Sequence, residues 1–262
     1  MQTKKHLYFE QFGTGNNTLI FLHGLLGMGQ NWRSIAKQVS ETFSGTLSAI
    51  TLDLRNHGRS FHDPDHHYED LAQDIRDFIS QNQLQDVILC GHSMGGKVIY
   101  QLTQNLPANI KALGIFDILP IYYPLQSTQL IALQKLPLAD IKSRSDAIKY
   151  LNTRVKNDAM AQFLAKNVAQ SETGFRLLPN IKTLLKCQEN IACAIKLKPC
   201  TLASLFLFGQ NSEYLEPEAY QNLDAFFPNH TKQIIPQAGH WLHAQQPKAF
   251  LTHLISFLET QL

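Results

Sequence analysis

The sequence predicts an α/β protein, an open, doubly wound and mostly parallel sheet with helices on both faces and one helical insertion. Three observations support this. Short β-branched and aromatic runs alternate with helical patterns along most of the chain. The runs are apolar almost throughout rather than at every second residue, as strands covered on both faces require. The alternation breaks once, for about 75 residues after position 121, and such a span is too long for a crossover loop.

Taken in order, residues 19–23 (LIFLH) form the first buried run, and Trp32, Ile35, Ala36 and Val39 form the helical stripe after it. Residues 46–53 (TLSAITLD) follow as a strand. Then Tyr68, Leu71, Ala72, Ile75, Phe78 and Ile79 recur at three- and four-residue spacing, with charges on the opposite face. Residues 86–92 (DVILCGH) precede a helical pattern over 97–106, and 112–118 (ALGIFDI) is the next strand. Beyond the break come strands at 202–208 (LASLFLF) and 231–235 (TKQII), and a last helix whose stripe is Phe250, Leu251, Leu254, Phe257 and Leu258. Strand followed by helix, repeated, gives a doubly wound sheet. The interruption, with helical patterns at 147–151 and 160–168, divides the chain into a core of residues 1–118 and 199–262 and a cap of residues 119–198. Tyr122, Tyr123, Phe163 and Phe175 in the cap either line a pocket or fill the cap's own core.

Composition narrows the classes. Of 262 residues, 44% are apolar and 17% charged, below the roughly 25% charge of average soluble domains, so the chain is not disordered. Lysine and arginine exceed aspartate and glutamate by only two, with no long basic run, which speaks against nucleic acid as a partner. Four cysteines, at 90, 187, 193 and 200, include no C-x-x-C pair, and a reduced, cytoplasmic chain is expected. The opening MQTKKHLYFEQF lacks the apolar stretch of a signal peptide, and no run of about 18 apolar residues exists to span a membrane.

The chemistry centres on Gly91-His92-Ser93-Met94-Gly95, which lies between a strand run and a helical pattern. G-x-S-x-G in that context places a serine on a tight, strained turn with its hydroxyl projecting from the sheet edge. The following helix N-terminus favours negative charge there. Ser93 is therefore the candidate nucleophile. A serine needs a base, and among eleven histidines His240 stands between the last strand and the last helix, in QAGHW. The base needs an acid to hold its tautomer. The loop after the strand at 202–208 reads GQNSE and has no aspartate, so Asp117, at the tip of the preceding strand, is the first candidate and Glu213 the second. The turn Leu22-His23-Gly24-Leu25-Leu26-Gly27 offers the backbone N–H of Leu25 or Leu26 which, with that of Met94, forms an oxyanion hole. His23 reads as a turn-stabilising residue. The loop Asp53-Leu54-Arg55-Asn56-His57-Gly58-Arg59-Ser60 reads as a brace for that turn. His62, Asp63, Asp65, His66 and His67 have a metal-like composition without convergent spacing, so no metal and no cofactor is expected.

In their order along the chain, the HG turn, D-L-R-N-H-G-R-S, GHSMGG and the late G-H-W resemble the α/β-hydrolase superfamily over nearly the whole chain. The D-x-R-N-H-G-x-S wording and the aspartate 24 residues after the serine are similar to the small YbfF-type bacterial esterases and their mitochondrial abhydrolase relatives. The resemblance implies an eight-stranded, mostly parallel sheet, a helical cap, a triad acid at Asp117, and cofactor-free hydrolysis of acyl esters or thioesters.

The leading function is thus a serine carboxylic-ester hydrolase for short- to medium-chain acyl groups. The substrate is a small acyl ester held by the apolar Leu25, Leu26 and Met28 and by Trp241 and Tyr122. A monomer or homodimer is expected. A C–C or lactone hydrolase would use the same triad. Dehalogenase and epoxide hydrolase chemistry would place aspartate at the elbow, where this chain has serine. A non-catalytic binding protein of this fold would not be expected to keep nucleophile, base and oxyanion turn together.

Overall fold

The computed structural model describes residues 5–172 and 174–262; the first four residues of the opening segment lie outside it. In chain order the elements are β1 (Phe9–Phe12), β2 (Asn17–Leu22), α1 (Arg33–Thr42), β3 (Leu47–Leu52), α2 (Tyr68–Gln81), β4 (Val87–His92), α3 (Met94–Leu102) and β5 (Ile110–Phe116). There follow α4 (Thr128–Gln134), α5 (Arg144–Val155), α6 (Asp158–Ala165), β6 (Val168–Ser171), β7 (Gly174–Leu177), α7 (Ile181–Lys186) and α8 (Gln188–Ala192). The chain closes with β8 (Ala203–Gly209), α9 (Pro217–Phe226), β9 (His230–Ile235), α10 (Leu242–Gln245) and α11 (Pro247–Glu259).

The main sheet runs β1-β3-β2-β4-β5-β8-β9, and only β1 is antiparallel. Its strands β2, β3 and β4 are buried almost throughout, the burial their unbroken apolar runs require. Register pairs Ile20 with Leu89 and Gly91 with Ile115, bringing the strand ends level. One face packs on α2, α3 and α9 through residues such as Ile75, Val98 and Leu223. The other packs on α1 and α11 through Val39, Leu254 and Leu258. A third cluster, built from Leu133, Leu151, Leu164 and Leu184, holds α4 to α7 together over the sheet edge.

The sheet has seven strands among the described residues rather than eight. The one strand before β2 among the described residues is the four-residue β1, which ends at Phe12 where Gly13 turns the chain at φ 70°. With alternating exposure and a polar middle, β1 has no apolar run and went unrecognised in the sequence. The inserted region is not purely helical either. The pattern over 160–168 ends early, at Ala165, where the Asn167 side chain donates to the Leu164 carbonyl, and Val168 opens a two-stranded hairpin with β7.

Candidate active site

Because β4, β5, β8 and β9 are parallel, their C-terminal ends meet at one sheet edge, the edge where open α/β sheets bind ligands. Ser93 follows β4, Asp117 follows β5, Ser212 lies just past β8, and His240 stands between β9 and α10.

Ser93 has φ 53° and ψ −118° and caps the N-terminus of α3. This is strained backbone for a residue with a side chain. It is held by the Ser93 N–H donating to the Phe116 carbonyl at 3.0 Å and by the Ser93 carbonyl accepting from the Lys97 N–H at 3.1 Å. Two glycines make the turn possible. A Cβ on Gly91 would stand 2.4 Å from the Gly95 carbonyl oxygen, and one on Gly95 would stand 2.5 Å from that of Leu22.

His240 Nδ1 lies 2.8 Å from Asp117 Oδ2. Asp117 is wholly buried. Its Oδ1 accepts from the Gly209 N–H at 2.7 Å, and its Oδ2 also accepts from the Ser212 hydroxyl. A buried carboxylate so supplied with donors assigns the proton between it and His240 to Nδ1, which leaves Nε2 as the acceptor. The His240 ring stacks on Tyr214 with centroids 4.0 Å apart, and its carbonyl accepts from His92 Nε2 at 2.7 Å. Glu213 borders the same cavity and has no hydrogen bond to His240 among the described residues.

Two further imidazoles lie close to His240. Burial, with the neighbouring His240 charge, drives His92 well below the ordinary histidine range and His243 down to about 3. Both are neutral spacers. His243 also stacks on Trp32 at 4.3 Å.

The turn from Leu22 to Gly27 is fixed from below. The Leu54 N–H donates to His23 Nε2 at 3.0 Å, and burial pushes His23 down to about 4. Asp53 accepts from the N–H groups of Gly29 at 2.6 Å and Arg59 at 2.8 Å. Arg55 pairs with Asp74 through Nε at 2.5 Å and Nη2 at 2.8 Å. The loop thus braces the turn. His62 Nε2 donates to the Leu178 carbonyl, and the Asn56 side-chain amide donates to His66 Nδ1, so each ring has one nitrogen engaged within the fold.

A cavity of about 700 Å³ opens over Ser93 and His240 and takes Leu25, Leu26, Met94 and Trp241 into its wall. Phe163 faces Trp241 with ring centroids 5.7 Å apart. Tyr122 is not in this wall: it is 51% exposed, and its neighbour Tyr123 turns inward instead, donating its hydroxyl to the Tyr214 carbonyl at 2.7 Å. Met28 lies outside this cavity, and Phe175 packs in the insertion's own cluster.

The inserted region is tied to the core at several points. Lys97, buried and pushed down to about 8 by desolvation, donates to the carbonyls of Ala192 at 3.0 Å and Cys193 at 2.7 Å. The Tyr68 hydroxyl donates to Ile191, Asn167 to the Leu26 carbonyl, and Asn180 to Asn56. Sequence reasoning missed Lys97, His92, Ser212 and Tyr214. His92 stands inside the elbow motif and Lys97 two residues past it, and their spacing from Ser93 was a usable signal. Nothing in GQNSEY distinguished the serine that bonds Asp117.

The model of the Alpha/beta hydrolase family matches residues 19–253. The chain is 32% identical over 250 residues to the mouse (Mus musculus) sn-1-specific diacylglycerol lipase ABHD11, covering 92% of this chain and 80% of that protein. It is 30% identical to the Escherichia coli esterase YbfF, covering 93% of each. A solved structure titled marine microorganism esterase superposes with a TM-score of 0.90 at 33% identity, covering 97% of this chain and 100% of that one. The family model's extent and the identity to these relatives settle the affiliation: the chain belongs to the alpha/beta hydrolase family and is a hydrolase of its esterase and lipase type.

Proposed function

We propose that the chain hydrolyses carboxylic esters of short- to medium-chain acids through Ser93, His240 and Asp117 and a covalent acyl-enzyme. The observation behind this reading is the pairing of the buried Asp117 with His240 Nδ1 at 2.8 Å, in the wall of the cavity that also holds the strained Ser93.

Ser93 Oγ attacks the acyl carbon while Nε2 of His240 takes its proton. The imidazolium that forms keeps its Nδ1–H on Asp117. The N–H groups of Leu25 and Met94 hold the oxygen of the tetrahedral intermediate, where loss of one donor typically costs about a hundred- to a thousandfold in rate. His240 then gives the proton to the leaving alcohol, or to a thiol in a thioester. Water, deprotonated by the same ring, releases the acid. Leu25, Leu26, Trp241 and Phe163 receive the acyl chain. Residues 119–198 serve as the cap that shapes this pocket.

Initial rates on p-nitrophenyl esters from acetyl to long-chain acyl, for wild type and Ser93→Ala, test the reading. A diacylglycerol is added as a further substrate because the mouse relative is named for it. An optimum at short or medium chains that vanishes in the variant is expected. A folded wild type inert on every ester would overturn it.

A further inference from the structure

A second cavity, of about 350 Å³, lies on the other side of the segment that carries the oxyanion turn. Gly27, Asn31 and Trp32 border the first cavity, whereas Met28, Gly29 and Gln30 border the second, so one stretch of backbone is the wall between them. Lys166 lines both.

The lining of this second cavity is strongly cationic. Arg33, Arg59, Arg144, Lys166 and Arg176 face only Glu10 and Asp53. That surplus of three positive charges exceeds the formal net charge of +2 carried by the whole chain. The two carboxylates are already engaged. Glu10 pairs with Arg33 at 3.1 Å, and Asp53 accepts the backbone N–H groups of Gly29 and Arg59. The Arg59 guanidinium lies over the Tyr8 ring at 4.7 Å. Arg144, Lys166 and Arg176 have no side-chain hydrogen bond or ion pair among the described residues. Thr51 adds to the wall, buried, with its hydroxyl oxygen unpaired among the described residues.

Cations gathered from three separate segments without carboxylates to balance them repel one another, and in a concave site their field is focused rather than spread. A ligand with several acceptor oxygens and more than one negative charge satisfies three such side chains at once. A carboxylate brings one charge and two oxygens, while a phosphate group suits arginine forks in number and geometry. We propose that this cavity is an anion subsite that binds a phosphate group. The group belongs either to the substrate, reaching across from Ser93 past Lys166, or to a separate small molecule.

The first measurement is isothermal titration of the intact chain with pyrophosphate at fixed low ionic strength. The proteins are wild type, Ser93→Ala and Arg144→Ala/Arg176→Ala. Saturable one-site binding is expected in the first two, weakened about tenfold or more in the double variant, with its thermal midpoint unchanged. Lys166→Met, altering an exposed side chain, provides an independent loss should the double variant misfold. Absence of binding in wild type, or equal binding in the folded variants, would overturn the subsite. Only the kinetic arms rest on the ester-hydrolase reading. A lower KM for an ester carrying phosphate on its alcohol side than for its neutral counterpart, lost in the variant, assigns the phosphate to substrate. A pyrophosphate effect on neutral-ester turnover, lost in the variant, assigns it to a separate ligand.

Discussion

Acidification from pH 7 to pH 5 destabilises this fold through histidines that the folded chain keeps neutral. His23 is held down to about 4, and His57 and His243 to about 3, chiefly because burial disfavours the charged ring, against an ordinary value of 6.5. Between those limits the unfolded chain binds protons that the folded chain refuses. The stability these rings contribute is therefore complete above pH 6.5 and is lost as pH falls toward 4 for His23 and toward 3 for His57 and His243. Each forfeits about 1.4 kcal/mol per pH unit, or about 2 kcal/mol at pH 5, so the three together lose up to about 6 kcal/mol. Asp53 and Asp74, raised by burial, work in the opposite sense and offset part of it. Against a total stability of about 5–15 kcal/mol, even half of that loss is decisive. Urea titrations at pH 7, 6 and 5, followed by the fluorescence of the buried Trp32, measure it. His243→Leu removes one titrating ring and should reduce the drop by about 2 kcal/mol at pH 5. Equal unfolding free energies at pH 7 and 5 would refute the reasoning.

Other expectations concern single positions. Asp117→Asn should lower kcat by about ten-thousandfold through the wrong His240 tautomer, while Glu213→Gln stays near wild type; steady-state kinetics on one ester compare them. Gly95→Ala forces a Cβ against the Leu22 carbonyl and should destabilise by about 1–3 kcal/mol or prevent folding, read from the thermal midpoint. Arg55→Met strands the largely buried Asp74 carboxylate and should cost about 3–5 kcal/mol in urea unfolding.

The central strands were legible because each is an unbroken apolar run ending in turn residues, a pattern that a two-sided sheet imposes on composition. The position of Ser93 was legible because its turn needs glycines at fixed offsets, and that of His240 because it stands between the last strand and the last helix. By contrast, β1 is short and half polar, and its pairing with β3 is a long-range fact that no local pattern records. The hairpin after α6 depends on Asn167 reaching the Leu26 carbonyl, 141 residues away in sequence. Tyr122 and Tyr123 show the same limit, since adjacent identical residues differ only in which one the fold turns inward. The second, cationic cavity draws its charges from five separate places in the chain, so no sequence window contained it.

The bonds from Lys97, Tyr68, Asn167 and Asn180 have a bearing on access. They fasten the second half of the inserted region to the core, at Asn167, Asn180 and Ile191 to Cys193, and one anchor, the Leu26 carbonyl, belongs to the Leu22–Gly27 turn. A region pinned in this way moves aside as one body only by breaking those bonds, the one to the Leu26 carbonyl included. On the proposed ester-hydrolase reading, turnover is expected to follow the concentration of free ester and to saturate smoothly, without the abrupt rise at micelle formation that a hinged lid produces.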